Sequence, residues 1–285
     1  VWSPDGSQLV YLQSYGWEAD LYLLEGKLRK PRRITQDGEY KYLARWSPDG
    51  NALAYLSSDH PGDPDLRSEY LNILDFTGGD PQRVSFERVL NYRWRPDSQS
   101  IAAVTLTSDQ PALETVTRDG AREVGQLLGF LKGVIALSLA PDASRVAFVR
   151  PNSDPQALFD PLYIAAIDGS QEEQAGAYGT DSSMAWSPDG ARLAFTTLGE
   201  DFNYVLSAVQ VDGSELKVLL TLDPADDSGE ILPGSPAWSP DSAKIAIGSF
   251  SSWKGSSVFI VNADGSGIRQ VTEPGGLVYD LSWKP

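Results

Sequence analysis

The sequence predicts an all-β chain, a six-bladed β-propeller of four-stranded antiparallel blades whose ring is closed by the C-terminal strand pairing into blade 1. Three observations predict it. The motif W-S-P-D-G begins at Trp2, Trp46 and Trp186, with near copies at Trp94 and Trp238, a weaker copy at Leu139 and a final Trp283. The spacings of 44, 48, 45, 47, 52 and 45 residues suit one blade per repeat. Each copy is then followed, in the same order, by a short apolar run, a variable loop, an alternating run, a glycine-containing turn and a last short run.

Trp closes strand A, and P-D-G makes the A–B turn. Pro presets φ at the second turn position, Asp accepts from nearby amides, and Gly takes a φ that other residues resist. Strand B is the apolar run, such as Leu53-Ala54-Tyr55 or Ile245-Ala246-Ile247. Strand C alternates, as in Leu21-Tyr22-Leu23-Leu24 and Val258-Phe259-Ile260-Val261. Dipeptides such as Asp168-Gly169, Asp212-Gly213 and Asp264-Gly265 supply the C–D hairpin. Strand D ends in Thr or Ser at Thr35, Ser85 and Thr272. The indoles of Trp2, Trp46, Trp94, Trp186, Trp238 and Trp283 are large enough to wedge between blades that cannot bury their faces alone. The blades read as 2–36 with 277–283, 41–86, 90–126, 134–176, 182–222 and 234–273. Closure follows because strand A of blade 1 is nearly absent while a spare strand, 277–283, sits at the other end; closing the ring removes open edges. The rival is a seven-bladed ring with one blade outside this chain.

These residues resemble the TolB-type propeller repeat, which also occurs in relatives of prolyl oligopeptidase. The resemblance covers the whole chain and is carried by six copies in register; Leu139 in place of Trp is its largest departure.

Composition bounds the function. The 285 residues carry a net charge of −16, which argues against nucleic acid or an anionic membrane as partner. The absence of Cys excludes disulfide and thiolate chemistry, and no apolar run approaches the ~18 residues of a membrane span. The chain starts inside a repeat, which reads as a processed chain or an excised segment. His60 is the only histidine, which excludes multi-histidine metal sites and makes histidine acid–base work a poor fit. No G-x-S-x-G elbow occurs. The expectation is therefore a monomeric, non-catalytic domain with no cofactor.

Candidate binding residues fall in three groups. Trp17 and Trp253 each lie 15 residues after a motif Trp, in B–C loops of neighbouring blades, with Tyr15 close by. They either form an aromatic contact patch or fold down onto their own blades. Arg45 and Arg93 each precede a strand-A Trp where the other repeats carry Ser138, Ala185, Ala237 and Ser282. They either meet in a channel and hold an anion, or pair with neighbouring carboxylates. Asp59, Asp63, Asp65 and Glu69, and separately Asp223, Asp226 and Asp227, form acidic loops that are weak Ca²⁺ candidates or solvated surface. The Asp repeated in every P-D turn (Asp5, Asp49, Asp97, Asp142, Asp189, Asp241) reads as turn chemistry.

Loops alternate between two faces. The B–C and D–A loops vary, so the binding face is expected there. By resemblance to TolB the chain acts outside the cytoplasm and binds a protein partner. The alternatives are a sensor or substrate-gating propeller of a larger membrane-anchored regulator or peptidase, and a carbohydrate-binding propeller.

Overall fold

The computed structural model describes the chain except residues 17, 27–29, 60–68, 86–87, 155, 158, 179–182, 199–202, 223–230, 252–254 and 273–280. The described residues are strands and turns, with one short 3-10 turn at Gly129–Leu131. They form six antiparallel sheets, and the fold is a six-bladed β-propeller. Two compact units divide the chain: Val1–Lys132 with Lys284–Pro285, and Gly133–Trp283.

In the first unit, β1 (Gln8–Tyr15), β2 (Glu18–Glu25) and β3 (Arg32–Arg33) pair in that order. Trp2 bridges to Leu9, the register in which Trp46 pairs with Leu53 and Trp94 with Ile101. The strand expected over 277–283 to complete this sheet falls mostly outside the described residues, and Leu281–Pro285 are not in a strand. Lys284 places its ammonium over the Trp2 ring, 5.4 Å from the centroid. The second sheet runs β4 (Tyr40–Trp46), β5 (Ala52–Ser58), β6 (Glu69–Asp75), β7 (Gln82–Arg83). The third runs β8 (Arg88–Trp94), β9 (Ser100–Thr107), β10 (Gln110–Thr117), β11 (Arg122–Leu127). The second unit repeats the plan in three further sheets, opening at Ala136–Leu139, Met184–Trp186 and Ile231–Pro233 with Ala237–Trp238.

The hydrophobic core lies between successive sheets. Trp46 packs with Val10, Leu21 and Leu23 of the sheet before it and with Leu53 and Tyr55 of its own. Trp94 stands likewise against Ala52, Ala54 and Leu56, Trp186 against Ala147 and Ile164, and Trp238 against Ala194 and Leu206. Each indole also donates a hydrogen bond to the preceding sheet. Trp46 Nε1 reaches Val1 O at 3.2 Å, Trp94 reaches Arg45 O at 3.0 Å, Trp186 reaches Ser138 O at 3.0 Å, Trp238 reaches Ala185 O at 3.0 Å and Trp283 reaches Ala237 O at 2.8 Å. The acceptor is always the residue just before that sheet's own motif position.

All six A–B connections contain five residues between the motif position that ends strand A and the first residue of strand B. The turn chemistry explains the uniformity. Asp49 Oδ1 accepts from Ser47 Oγ at 2.5 Å and from Asn51 N at 3.0 Å, and Gly50 N closes the turn onto Ser47 O at 2.9 Å. The glycine position has φ +71° at Gly50, and the same left-handed backbone persists where the residue is Ser98 (+59°), Ala143 (+58°) or Ser242 (+57°). The serines gain a bond in exchange: Ser98 Oγ accepts the Asp49 N–H of the preceding turn at 2.9 Å, and Ser242 Oγ accepts that of Asp189 at 3.2 Å. At the outer strands, Thr35, Ser85 and Thr272 accept backbone N–H groups of Leu21, Leu71 and Val258 through their hydroxyls, at 2.8–2.9 Å.

Candidate binding site

Antiparallel pairing puts the A–B and C–D turns at one end of the strands and the B–C and D–A connections at the other. The two ends differ. Against the constant five-residue A–B turns, the B–C connections run from two residues, between β1 and β2, to ten, between β5 and β6. The fourth sheet has another ten-residue connection, between Arg145–Val149 and Asp160–Ala166. In that loop Asn152 donates its backbone N–H to Asp160 Oδ1 at 2.7 Å and its side-chain amide to Phe159 O at 2.9 Å, while its Oδ1 accepts from Asp154 N at 3.0 Å.

The side-chain chemistry concentrates on β4 and β8. Arg45 and Arg93 hold the same position, one residue before Trp46 and Trp94. The Arg45 guanidinium crosses to β8, donates to Tyr92 O and lies 5.0 Å from the centroid of the Tyr92 ring. Tyr92 is fully buried, and its hydroxyl shares its single proton between Leu43 O and Ala54 O, the latter at 2.8 Å. Both arginines are half-buried. Burial lowers the Arg45 pKa. Burial and the Arg45 charge together push Arg93 well below the ordinary guanidinium range. Burial raises the Tyr92 phenol, against the pull of both guanidiniums.

Two further polar features lie in the first unit. At the turn end, Arg118 donates to Asp75 at 2.7 Å and Asp49 at 3.0 Å, beside a groove of about 620 Å³ that Asn51, Gln99 and Thr117 also line. On β4, the fully buried Lys41 donates to Glu39 O at 2.9 Å and pairs with Asp37. Burial lowers its pKa to about 8, against the opposing pull of Asp20.

The structure describes only part of the expected residues. Trp17 and Trp253 lie outside the described residues, as do Asp63, Asp65, Asp223, Asp226, Asp227, His60 and the side chain of Tyr15. Asp59 is exposed, and Glu69 accepts from Arg88 Nε at 2.9 Å. Among the described residues no three His, Cys, Asp or Glu side chains are placed to hold a metal ion. Among them too, no helix is long and apolar enough to cross a membrane. The sequence singles out Arg45 and Arg93 but not Tyr92, which the structure places against Arg45. The available signal was an aromatic two residues before a motif Trp, where the other repeats place Ala44, Leu137, Met184 or Pro236.

Solved structures share this fold. TolB from Acinetobacter baumannii superposes with a TM-score of 0.62 at 14% identity, over 97% of this chain and 65% of that one. The fold is that of the TolB-like β-propellers. A putative TolB from Agrobacterium tumefaciens matches with a TM-score of 0.54 and 18% identity over 85% of this chain and 84% of that one. The TolB-like propeller also underlies an enzyme: oligogalacturonate lyase from Vibrio parahaemolyticus gives a TM-score of 0.64 at 14% identity, over 95% and 76% of the two chains. This chain thus spans less than two thirds of the Acinetobacter TolB. No protein-family model matches it, and no curated protein matches it in sequence.

Proposed function

We propose that this TolB-like propeller is a non-catalytic protein-interaction scaffold that acts outside the cytoplasm and binds its partner through the face carrying the B–C and D–A loops. The observation that supports this reading is the asymmetry of the two strand ends. One end repeats a five-residue turn closed by its own aspartate, which leaves little chemistry to vary. The other end carries connections of two to ten residues on the same rigid frame, the arrangement in which binding surfaces are built. The likeness to TolB proteins favours an extracytoplasmic setting, and the net charge of −16 favours a partner with a basic face.

The test is site-specific photo-crosslinking in an envelope extract. Probes at the exposed Asp59 and Asn152 report the variable face, and probes at Asp119 and Asp241 report the turn face. Adducts from the first pair and none from the second support the reading. Adducts from the second pair alone move the binding face, and no adduct from any of the four overturns the scaffold role.

A further inference from the structure

The turn end of the strands departs from its pattern at one residue. Just after strand C in five sheets, a backbone N–H bonds the carbonyl that precedes strand B: Phe76 to Asn51, Arg118 to Gln99, Ile167 to Ser144, Val211 to Ala191 and Ala263 to Ala243, at 2.8–3.1 Å. Four of these five residues are apolar, and the fifth is Arg118. Its side chain crosses to the preceding sheet, with Nε on Asp75 at 2.7 Å and Nη1 on Asp49 at 3.0 Å. The groove of about 620 Å³ lies there, within the range of roughly 300–1,000 Å³ usual for small-molecule sites, and every residue that lines it is polar.

The groove keeps both donors and acceptors in reserve. Arg118 spends two of its five N–H donors on the carboxylates, so three remain. Gln99 bonds through its backbone; its side-chain amide, with two donors and an acceptor, has no partner among the described residues. Asp119 Oδ1 accepts from Thr117 Oγ1 and Ala121 N, and among the described residues Oδ2 is left over. The charges narrow the ligand further. Asp49, Asp75 and Asp119 outnumber the guanidinium and turn an anion away, while Arg118 already fills the place of a cation between Asp49 and Asp75. A neutral hydroxyl both donates and accepts, which is what this mixed set asks for.

We propose that this groove between the second and third sheets binds a neutral sugar, whose adjacent hydroxyls donate to Asp119 and Gln99 and accept from Arg118 and the Gln99 amide. The inference does not depend on which face a protein partner uses.

Amide NMR of the whole chain, titrated with maltose, cellobiose, lactose and N,N′-diacetylchitobiose, tests it. The expected result is saturable shifts at Thr77, Gln99 and Gly120 with at least one of the four. The affinity should fall by at least about threefold in Gln99→Ala, which removes neutral hydrogen bonds, and by about tenfold in Asp119→Asn, which removes a charged acceptor. It should stay unchanged in Asp264→Asn, the same turn position in another sheet. Gln99→Ala takes no internal side-chain bond away, so it decides the question if Asp119→Asn does not fold. A longer oligomer of the same sugar that binds more tightly assigns a glycan chain, and equal affinity assigns the free sugar. Shifts of these amides by N-acetyl-lysine amide and by none of the sugars overturn the proposal in favour of a basic side chain of a protein partner. No saturable shift with any of the four up to tens of millimolar, or equal affinity in wild type and both groove variants, also overturns it.

Discussion

The indole Nε1 of Trp94 lies 3.0 Å from the carbonyl oxygen of Arg45, so the residue that fills the space between two sheets also satisfies a backbone acceptor on the far side. The contact joins residues 49 positions apart and recurs wherever the motif Trp is described with its predecessor. Its two roles separate by substitution. Trp94→Phe keeps most of the ring and removes the donor, at an expected cost of about 1–2 kcal/mol. Trp94→Ala empties the site as well, at about 3–5 kcal/mol. Urea denaturation of both variants checks the difference; a Trp94→Phe midpoint equal to wild type would show that the N–H contributes nothing.

Ala143 occupies a glycine position with φ +58° and is nearly buried. An L-residue pays about 1–2 kcal/mol for that backbone, partly offset by the greater freedom of glycine in the unfolded chain. Ala143→Gly is expected to stabilise by about 0.5–1 kcal/mol in the same denaturation assay. Ser98→Gly should gain less, because it loses the bond that its hydroxyl accepts from Asp49 N.

Glu114 is fully buried, accepts from Thr105 Oγ1 at 2.9 Å and receives Arg122 through Nε at 3.0 Å and Nη2 at 2.7 Å. Removing one partner strands a buried charge. Arg122→Ala should cost about 3–5 kcal/mol, whereas Arg122→Ala combined with Glu114→Leu should recover much of it. Thermal melts of the single and double variants give the comparison.

Acid stability follows from the turn aspartates. The hydrogen bond from Arg118 lowers Asp75 to about 2, and the bond from the Ser3 hydroxyl lowers Asp5 to about 2, against an ordinary value of 3.8. Serine hydroxyls at 170, 214 and 266 lower Asp168, Asp212 and Asp264 in the same direction. Between pH 3.8 and about 2 the unfolded chain binds more protons than the folded one. The stability these groups contribute is therefore complete above that window and lost on falling through it. Melting temperature followed from pH 5 to pH 2 should drop across the window, with a shallower slope in Asp75→Asn.

Lys41 titrates in the opposite range. Its folded value of about 8 lies below the ordinary 10.5, so the unfolded chain binds the extra proton between those limits and the Lys41 contribution to stability rises with pH there. A heteronuclear NMR titration of the Lys41 side chain should find its midpoint near 8; a midpoint near 10.5 would show that the ammonium is not desolvated.

The six repeats, the strand order within each and the aspartate-closed turns were legible in the sequence because each depends on residues a few positions apart. Ser47, Asp49, Gly50 and Asn51 make their turn among themselves, and W-S-P-D-G spells it out. The tertiary structure alone decided what meets across sheets. That Arg45 turns onto Tyr92, 47 residues on, instead of taking a carboxylate, depends on how β4 and β8 lie side by side. That Ser98 replaces a glycine and then serves the preceding turn depends on the same stacking. A turn is written by local φ and local hydrogen bonds. A site shared by neighbouring sheets is written by packing between residues that one chain cannot show to be neighbours.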